Sequence, residues 1–512
     1  MIHSPTNPSH LRGFSVEAAQ AALERGDLEA AERICVSLSK TASQDARVWT
    51  LLAETAAVRG RLDAAMVCAN RAVALDPNNP LAHILQAKCL FLVGEAEQAL
   101  MAARRAQKIP ELSARAADAL GAVFGFLAHH QEALKLFSRA AALQPHIAQY
   151  KINLAATLRM LGAFDEAETE CAAALALDPR YALAHYIRSD LRLQTAERNH
   201  IEEIEALLAG PGLHWESAVL LRYALGKQYE DIGDDARAFE HVFEGAELQR
   251  AHVSGAITAE FAEIERALSV ASPTARDGYT EAAPIFVAGL PRSGTTLVER
   301  IIGGVGETTA VGETECIAAL TRSAVTPLEL GRRYASRVYA VYAEKNARTV
   351  DKTLHNYLYC GLIHAALPRA KMILLRRHPL DTAWALYKAH FHGQFAFSYD
   401  LEAIADYILA YRRLLAHWQK TLPKEALLVV DYEDIVRDLE GQSRRIIDFL
   451  ELPWRDAALQ FHASRVPSAT ASAVQVRRPL YDSSLGRWHR HAERLAPVRA
   501  RLAEDFAEEE LR

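Results

Sequence analysis

Residues Gly289 to Thr296, G-L-P-R-S-G-T-T, follow a short apolar run, Ile285 to Ala288, and lead into Leu297, Val298, Ile301 and Ile302. This order predicts a buried strand, a tight loop and a helix that starts near Gly294. Backbone N–H groups and the hydroxyls of Thr295 and Thr296 then gather at the positive end of the helix, where an anion is held. The loop fits G-x-x-x-x-G-K-[ST] except that Thr295 takes the lysine position. A nucleoside triphosphatase uses that lysine on the β and γ phosphates, with an acidic residue elsewhere to position Mg²⁺. The strong cation here is Arg292, inside the loop, and its planar fork suits phosphate or sulfate without a metal. A glycine-marked turn also serves as a plain connector. The unbroken series Arg292, Ser293, Gly294, Thr295, Thr296 argues for the anion.

A second apolar run, Lys371 to Leu375, ends in Arg376, Arg377, His378 and Pro379, with Asp381 just beyond. A magnesium-nucleotide enzyme needs a carboxylate at such a strand end. This chain offers two arginines.

The stretch P-R-S-G-T-T-L resembles the 5′-phosphosulfate loop of sulfotransferases that use 3′-phosphoadenosine 5′-phosphosulfate (PAPS). It is most similar to that of the protein-tyrosine sulfotransferases and the bacterial tetratricopeptide-repeat sulfotransferases, and the resemblance runs from Pro284 to Pro497. It implies PAPS as donor, no metal, and a role for each matching residue. Arg292, Ser293, Gly294, Thr295 and Thr296 would hold the phosphosulfate. Arg377 matches the arginine of R-[DH]-P-x-D that holds the 3′-phosphate, while the serine usual eight residues later is Ala385 here, which removes one bond to that phosphate.

Glu313, in A-V-G-E-T-E, lies 21 residues after Arg292 and matches the family's catalytic base. A carboxylate with an ordinary pKa of about 4.3 would take the proton of a hydroxyl as the sulfuryl group moves; Glu315 and Glu307 offer the same chemistry. Lys352 resembles the lysine that contacts the sulfate and the leaving phosphate, a cation placed where charge develops. Tyr432 matches a tyrosine near the nucleotide, and Ser484, Gly486, Arg487 and Trp488 resemble the loop that closes over PAPS. His355 is a second candidate base, because the cytosolic small-molecule members use histidine. His489 and His491 lack further ligands at metal spacing and read as surface residues.

The elements that must position these groups fall into two patterns. Gly26, Gly60, Gly94, Ala128 and Gly162 are spaced by 34 residues, the tetratricopeptide period. Ala31, Ala65, Ala99, Ala133 and Ala167 repeat the spacing, as do Ala19, Ala53, Ala87, Gly121 and Ala155, so that small residues let paired helices approach. Pro77, Pro110, Pro145 and Pro179 end the hairpins. The register loosens after Tyr181 and returns around Gly226, Gly233 and Ala238, which predicts a looser hairpin near 182–215 and a last repeat that caps the array. Beyond Pro284, strands expected at Ile285–Ala288, Thr349–Val350, Lys371–Leu375 and Ala426–Val430 alternate with helices, including Ala383–His390 and Ile404–Lys420. The expected fold is an α-solenoid over 12–270, a linker over 271–283 and a P-loop-type parallel α/β domain over 284–512, with ligands at the carboxyl ends of its strands.

A net charge of −6 argues against nonspecific nucleic-acid binding, and six scattered cysteines favour reduced thiols. The N-terminus lacks a basic start followed by an apolar core, and no stretch of 18 apolar residues occurs, so the expected location is the cytoplasm with no membrane segment. The solenoid would offer a groove to a peptide or protein acceptor, or a surface for a homodimer. Two alternatives stand beside the enzyme: a P-loop nucleotide kinase or NTPase, and a repeat scaffold whose sulfotransferase-like domain is inactive, a reading that Ala385 encourages.

Overall fold

The computed structural model describes residues 14–270, 277–322, 326–343, 348–464, 466–468, 473–480, 482 and 484–512. The chain forms two compact units, residues 1–145 and 146–512. Of the expected linker, residues 271–276 lie outside the described residues.

The first unit is a series of helical hairpins. The pairs are α1 (Val16–Glu24) with α2 (Leu28–Thr41), α3 (Ala46–Val58) with α4 (Leu62–Leu75), α5 (Pro80–Leu92) with α6 (Ala96–Gln107), and α7 (Ala114–Phe126) with α8 (His130–Leu143). The 34-residue signal marks the turn inside each hairpin. Gly26, Gly60 and Gly94 have φ of 76°, 72° and 84°, and Ala128 holds the same left-handed conformation at 60°. Ala31, Ala65, Ala99 and Ala133 are buried against the partner helices, as are Ala19, Ala53 and Ala87. At Gly121 a Cβ would lie 2.9 Å from the Phe137 ring, so the small residue is a packing requirement.

The second unit opens with the same motif: α9 (Ala148–Leu161) and α10 (Phe164–Leu177), then α11 (Ala182–Asp190), α12 (Ile201–Ala209), α13 (Trp215–Asp231) and the 35-residue α14 (Asp235–Ser269). A five-stranded parallel sheet follows in the order β2-β3-β1-β4-β5, from β1 (Ile285–Gly289), β2 (Thr308–Gly312), β3 (Arg348–Asp351), β4 (Lys371–Arg376) and β5 (Leu427–Asp431). Its helices are α15 (Thr295–Gly304), α16 (Cys316–Thr321), α17 (Pro327–Val341), α18 (Cys360–Ala366), α19 (Pro379–Tyr387), α20 (Leu401–Thr421), α21 (Tyr432–Arg437), α22 (Leu439–Phe449) and α23 (Ala496–Leu502).

Alternation along β1 divides the core. Ile285 and Val287 pack with Val298, Ile301, Ile302, Ile446 and Ile447 on one face. Phe286 and Ala288 belong to a larger core with Trp384, Tyr407 and Trp418. That second core also takes in Val219, Tyr223, Phe239 and Val242 from α13 and α14. The hairpin expected to end the solenoid as a cap therefore buries its apolar side in the α/β unit. Glu260 of α14 adds a polar tie, accepting bonds from Ala396 N at 2.8 Å and Phe397 N at 3.1 Å.

Strand β2 is absent from the expected set. Among the described residues it pairs with β3 alone, and it is half-exposed through Ala310, so it carries neither the apolar run nor the alternation that marks a strand.

Candidate functional site

The loop after β1 has a backbone that only its sequence allows in part. Gly294 sits at φ 102°, and a Cβ there would be 2.5 Å from Cδ2 of Tyr432, so the bare glycine lets the tyrosine ring lie against the loop. Arg292 adopts φ 68°, a strained left-handed conformation for a side-chain-bearing residue. Its guanidinium donates to Gln475 Oε1. The short helical turn holding Gln475 is pinned in turn by Arg477, which donates to Met160 O in α9 at 2.9 Å and to Ala473 O at 3.0 Å. Thr295 and Thr296 are buried at the first turn of α15.

Arg377, just beyond β4, joins this loop to the C-terminal segment. Its Nη1 donates to Arg292 O at 2.8 Å and its Nη2 to Ser484 O at 2.9 Å, while the guanidinium stands 4.9 Å from the Tyr432 ring centre. Tyr432 OH and Ser484 Oγ are 3.0 Å apart. Two buried polar atoms, Ser293 Oγ and Arg377 Nε, have no hydrogen-bond partner among the described residues. Such groups are costly when left unpaired, and here they fit an anion with several acceptor oxygens. A cavity of about 320 Å³ opens at this place, lined by Ser293, Arg377, His378, Tyr411, Asp431 and Glu433 among others. The neighbouring Arg376 is turned onto Asp431, with Nη2 to Oδ2 at 2.8 Å.

Asp381, named above only as part of a pattern, holds the loop at 484–488. Its Oδ2 accepts from Gly486 N at 2.7 Å and its Oδ1 from Trp488 N at 3.0 Å. The Trp488 ring stacks on His378 with centroids 5.8 Å apart. Ser484, Gly486 and Trp488 thus join the Arg377 network. The Arg487 side chain points elsewhere, to Glu230 at 3.1 Å.

On the other side of β1, Glu313 leaves the end of β2 and Lys352 the end of β3. A register shift between Ala310 and Gly312 turns the chain here, and Lys352 N donates to Gly312 O at 2.9 Å. Lys352 Nζ donates to Glu313 Oε1. The lysine is buried, which works against its charge, but Glu313 and Glu299 outweigh that and hold its pKa above the ordinary value. Asp351, fully buried, fixes both loops. Its Oδ2 accepts from Thr314 Oγ1 at 2.7 Å and Tyr334 OH at 3.1 Å, and its Oδ1 from Thr353 N at 3.0 Å and Asn356 Nδ2 at 3.2 Å. Thr353 Oγ1 accepts from Thr314 N at 2.9 Å.

Burial pushes Glu299, on α15, up to about 7, against the pull of Lys352 and with the push of Glu313. Burial, Glu313 and Asp351 likewise raise Glu315 to about 7. Glu307 pairs with Arg455 at 3.3 Å. His355 is stacked on Phe395 at 4.6 Å, and burial lowers its pKa, which favours a neutral ring. His491 corrects the surface reading: it is buried, 3.9 Å from the Trp384 ring, and burial lowers it to about 4. His489 is exposed.

Sequence reasoning passed over Asp351, Glu299 and Glu230. A charge inside the apolar run L-V-E-R-I-I was the available signal for Glu299. Glu230, in Q-Y-E-D-I-G-D-D, looks like any solvated helix end.

Among the described residues no group of three or more His, Cys, Asp and Glu could hold a metal, and no helix is long and apolar enough to cross a membrane. Residues 324–456 match the sulfotransferase family and residues 46–89 the tetratricopeptide repeat. A protein of Aquifex aeolicus, described as uncharacterized, is 30% identical over 384 residues, which is 69% of this chain and 50% of that one. Protein-tyrosine sulfotransferase A of Caenorhabditis elegans is 23% identical over 243 residues, 41% of this chain and 63% of that protein. The chain thus spans less than two thirds of either relative. A thermophilic tetratricopeptide-repeat protein of Thermus thermophilus superimposes with a TM-score of 0.31 at 21% identity, over 34% of this chain and 96% of that one.

The fold is a helical repeat region followed by a parallel α/β domain. Residues 324–456 of that domain match the sulfotransferase family, the helical region carries tetratricopeptide repeats, and a protein-tyrosine sulfotransferase is a distant homologue.

Proposed function

We propose that the protein is a PAPS-dependent sulfotransferase, with a solenoid over 12–270 and a catalytic domain over 284–512, that moves a sulfuryl group to an acceptor hydroxyl, in the first instance a tyrosine of a peptide or protein. One observation carries this reading. The Glu313–Lys352 pair stands at the ends of β2 and β3 on one side of the β1 loop, and Arg377, tied to that loop, stands at the end of β4 on the other. A donor with phosphates at both ends and a reactive sulfuryl group matches that division.

In the proposed reaction Glu313 takes the proton of the acceptor hydroxyl while its oxygen bonds to sulfur. The bond from sulfur to the bridging oxygen breaks, and Lys352 stabilises the charge left on the 5′-phosphate. Arg292 and the amino end of α15 at Thr295 and Thr296 hold the transferring group. Arg377, Tyr432 and Ser484 bind the 3′-phosphate, and the Ser484 hydroxyl takes the place of the one absent at Ala385. The proposed location is the cytoplasm, a reading that six cysteines scattered through a long chain favour.

Calorimetry with adenosine 3′,5′-bisphosphate tests the donor. Binding in the absence of Mg²⁺ is expected, and no binding would sink the enzyme reading. Glu313→Ala should bind this product as the wild type does yet lose turnover of PAPS by about 10²-fold or more, as for removal of a general base. Loss of binding and turnover together would reject Glu313 as the base. Labelled PAPS incubated with cell extract would identify the acceptor.

A further inference from the structure

Glu230 lies at the carboxyl end of α13, in the helical repeat region, with its side chain 10% exposed. Three donors from two other elements converge on this one carboxylate. Trp384 Nε1 donates to Oε1 at 3.0 Å, Lys388 Nζ lies 2.7 Å from each oxygen, and Arg487 Nη1 pairs with Oε2 at 3.1 Å. Trp384 and Lys388 are four residues apart on one face of α19 and its end, and α19 also bears Asp381, which grips Gly486 and Trp488. Arg487 lies between those two. The 484–488 loop is therefore held on one side by Asp381 and on the other by a residue of the repeat region.

Packing alone does not require this charge. Phe239 already stacks on Trp384 at 5.6 Å, Arg494 lies 4.7 Å over Phe239, and Arg494 Nη1 donates to Ala236 O at 2.8 Å. A buried ion pair adds little net stability over an apolar contact of the same shape, whereas it fixes the relative position of the groups that form it. Burial opposes the ionised form of Glu230, yet Lys388 and Arg487 draw its pKa down to about 2.

We propose that Glu230 is a positioning residue for donor binding: anchored to α19 by Trp384 and Lys388, it sets through Arg487 where Ser484 to Trp488 stand beside Arg377 and Tyr432. The helical region then takes part in holding the nucleotide as well as any acceptor. This rests on the PAPS reading above.

The test measures binding of adenosine 3′,5′-bisphosphate and steady-state kinetics with PAPS on the full chain. Glu230→Gln should weaken binding and raise KM for PAPS by about tenfold, as for a lost charge-assisted hydrogen bond, with kcat within about twofold of wild type. Arg487→Ala should do the same, and the two changes together should cost no more than either alone. Because Glu230→Gln leaves the Lys388 ammonium buried without its counter-charge, Glu230→Gln/Lys388→Met is measured as well. It should melt cooperatively and keep the loss of affinity, and recovery of wild-type affinity would overturn the proposal. Wild-type affinity in folded Glu230→Gln, additive effects, or a fall in kcat at unchanged KM would also overturn it. If the wild-type protein itself fails to bind the nucleotide, the PAPS reading falls first; binding that ignores Glu230 sinks only this inference.

Discussion

At the scale of single residues, Lys352 is the centre of an unusual charge cluster. It is buried between Glu313, its direct partner, and Glu299, and the two carboxylates together outweigh the cost of burying the ammonium. Glu299 bears the consequence. A carboxyl that titrates near 7 when folded and near 4.5 when unfolded holds its proton more tightly in the folded state. It therefore favours folding below about pH 4, and that contribution disappears as the pH rises through 7. Glu299→Gln, uncharged throughout, should melt with a flatter pH dependence between about pH 4.5 and 7, a difference of at most about 3 kcal/mol in stability. A decline as steep as the wild type's would show that Glu299 is not the titrating group.

At the scale of elements, the hairpin turns read directly from the sequence because one conformation recurs at each. The left-handed residue after the first helix is glycine at 26, 60, 94, 162 and 233, and Ala128 is the exception, exposed and at φ 60°. Ala128→Gly should raise the melting temperature, with relief of strain offset in part by the freer unfolded chain, for a gain of roughly 0.5–1 kcal/mol. No change or a loss would mean that the alanine methyl makes a contact of value. The strands were less evenly legible. β1 and β4 are buried on both faces and so appear as apolar runs, whereas β2 lies at an edge and its Thr308, Thr309 and Ala310 are half-exposed. Periodicity reports burial, and an edge strand has little of it. The site shows the same division. Arg292 to Thr296 and Arg377 announce themselves by adjacent residue types, while Asp351 and Glu230 act through partners far away in the chain.

At the scale of the whole molecule, the spacing within a repeat returns at Gly226, Gly233 and Ala238, among residues that belong to a different core. Tyr223, Phe239 and Val242 are packed with the large apolar residues under the sheet. Each buried side chain of this size contributes about 2 kcal/mol that would be lost on exposure. A fragment starting at residue 284 should therefore fail to fold, whereas one starting at residue 146 should give a cooperative melt. A stable, monomeric 284–512 fragment by circular dichroism and gel filtration would contradict this. The small residues at Gly226, Gly233 and Ala238 do not betray the change of role along the helical region, because the same residue types serve both kinds of packing.

Trp488 extends these arguments to the optical properties of the protein. Its backbone N–H is held by Asp381, its ring lies flat on His378, and the loop it closes touches Arg377 through Ser484. Excited indole is sensitive to a neighbouring imidazole and to the field of nearby charges, and nucleotide phosphates would enter that field. The intrinsic fluorescence of the unlabelled chain should thus change on titration with adenosine 3′,5′-bisphosphate, and Trp488→Phe should remove most of the change. The residue proposed to cover the donor site would then serve as its own reporter.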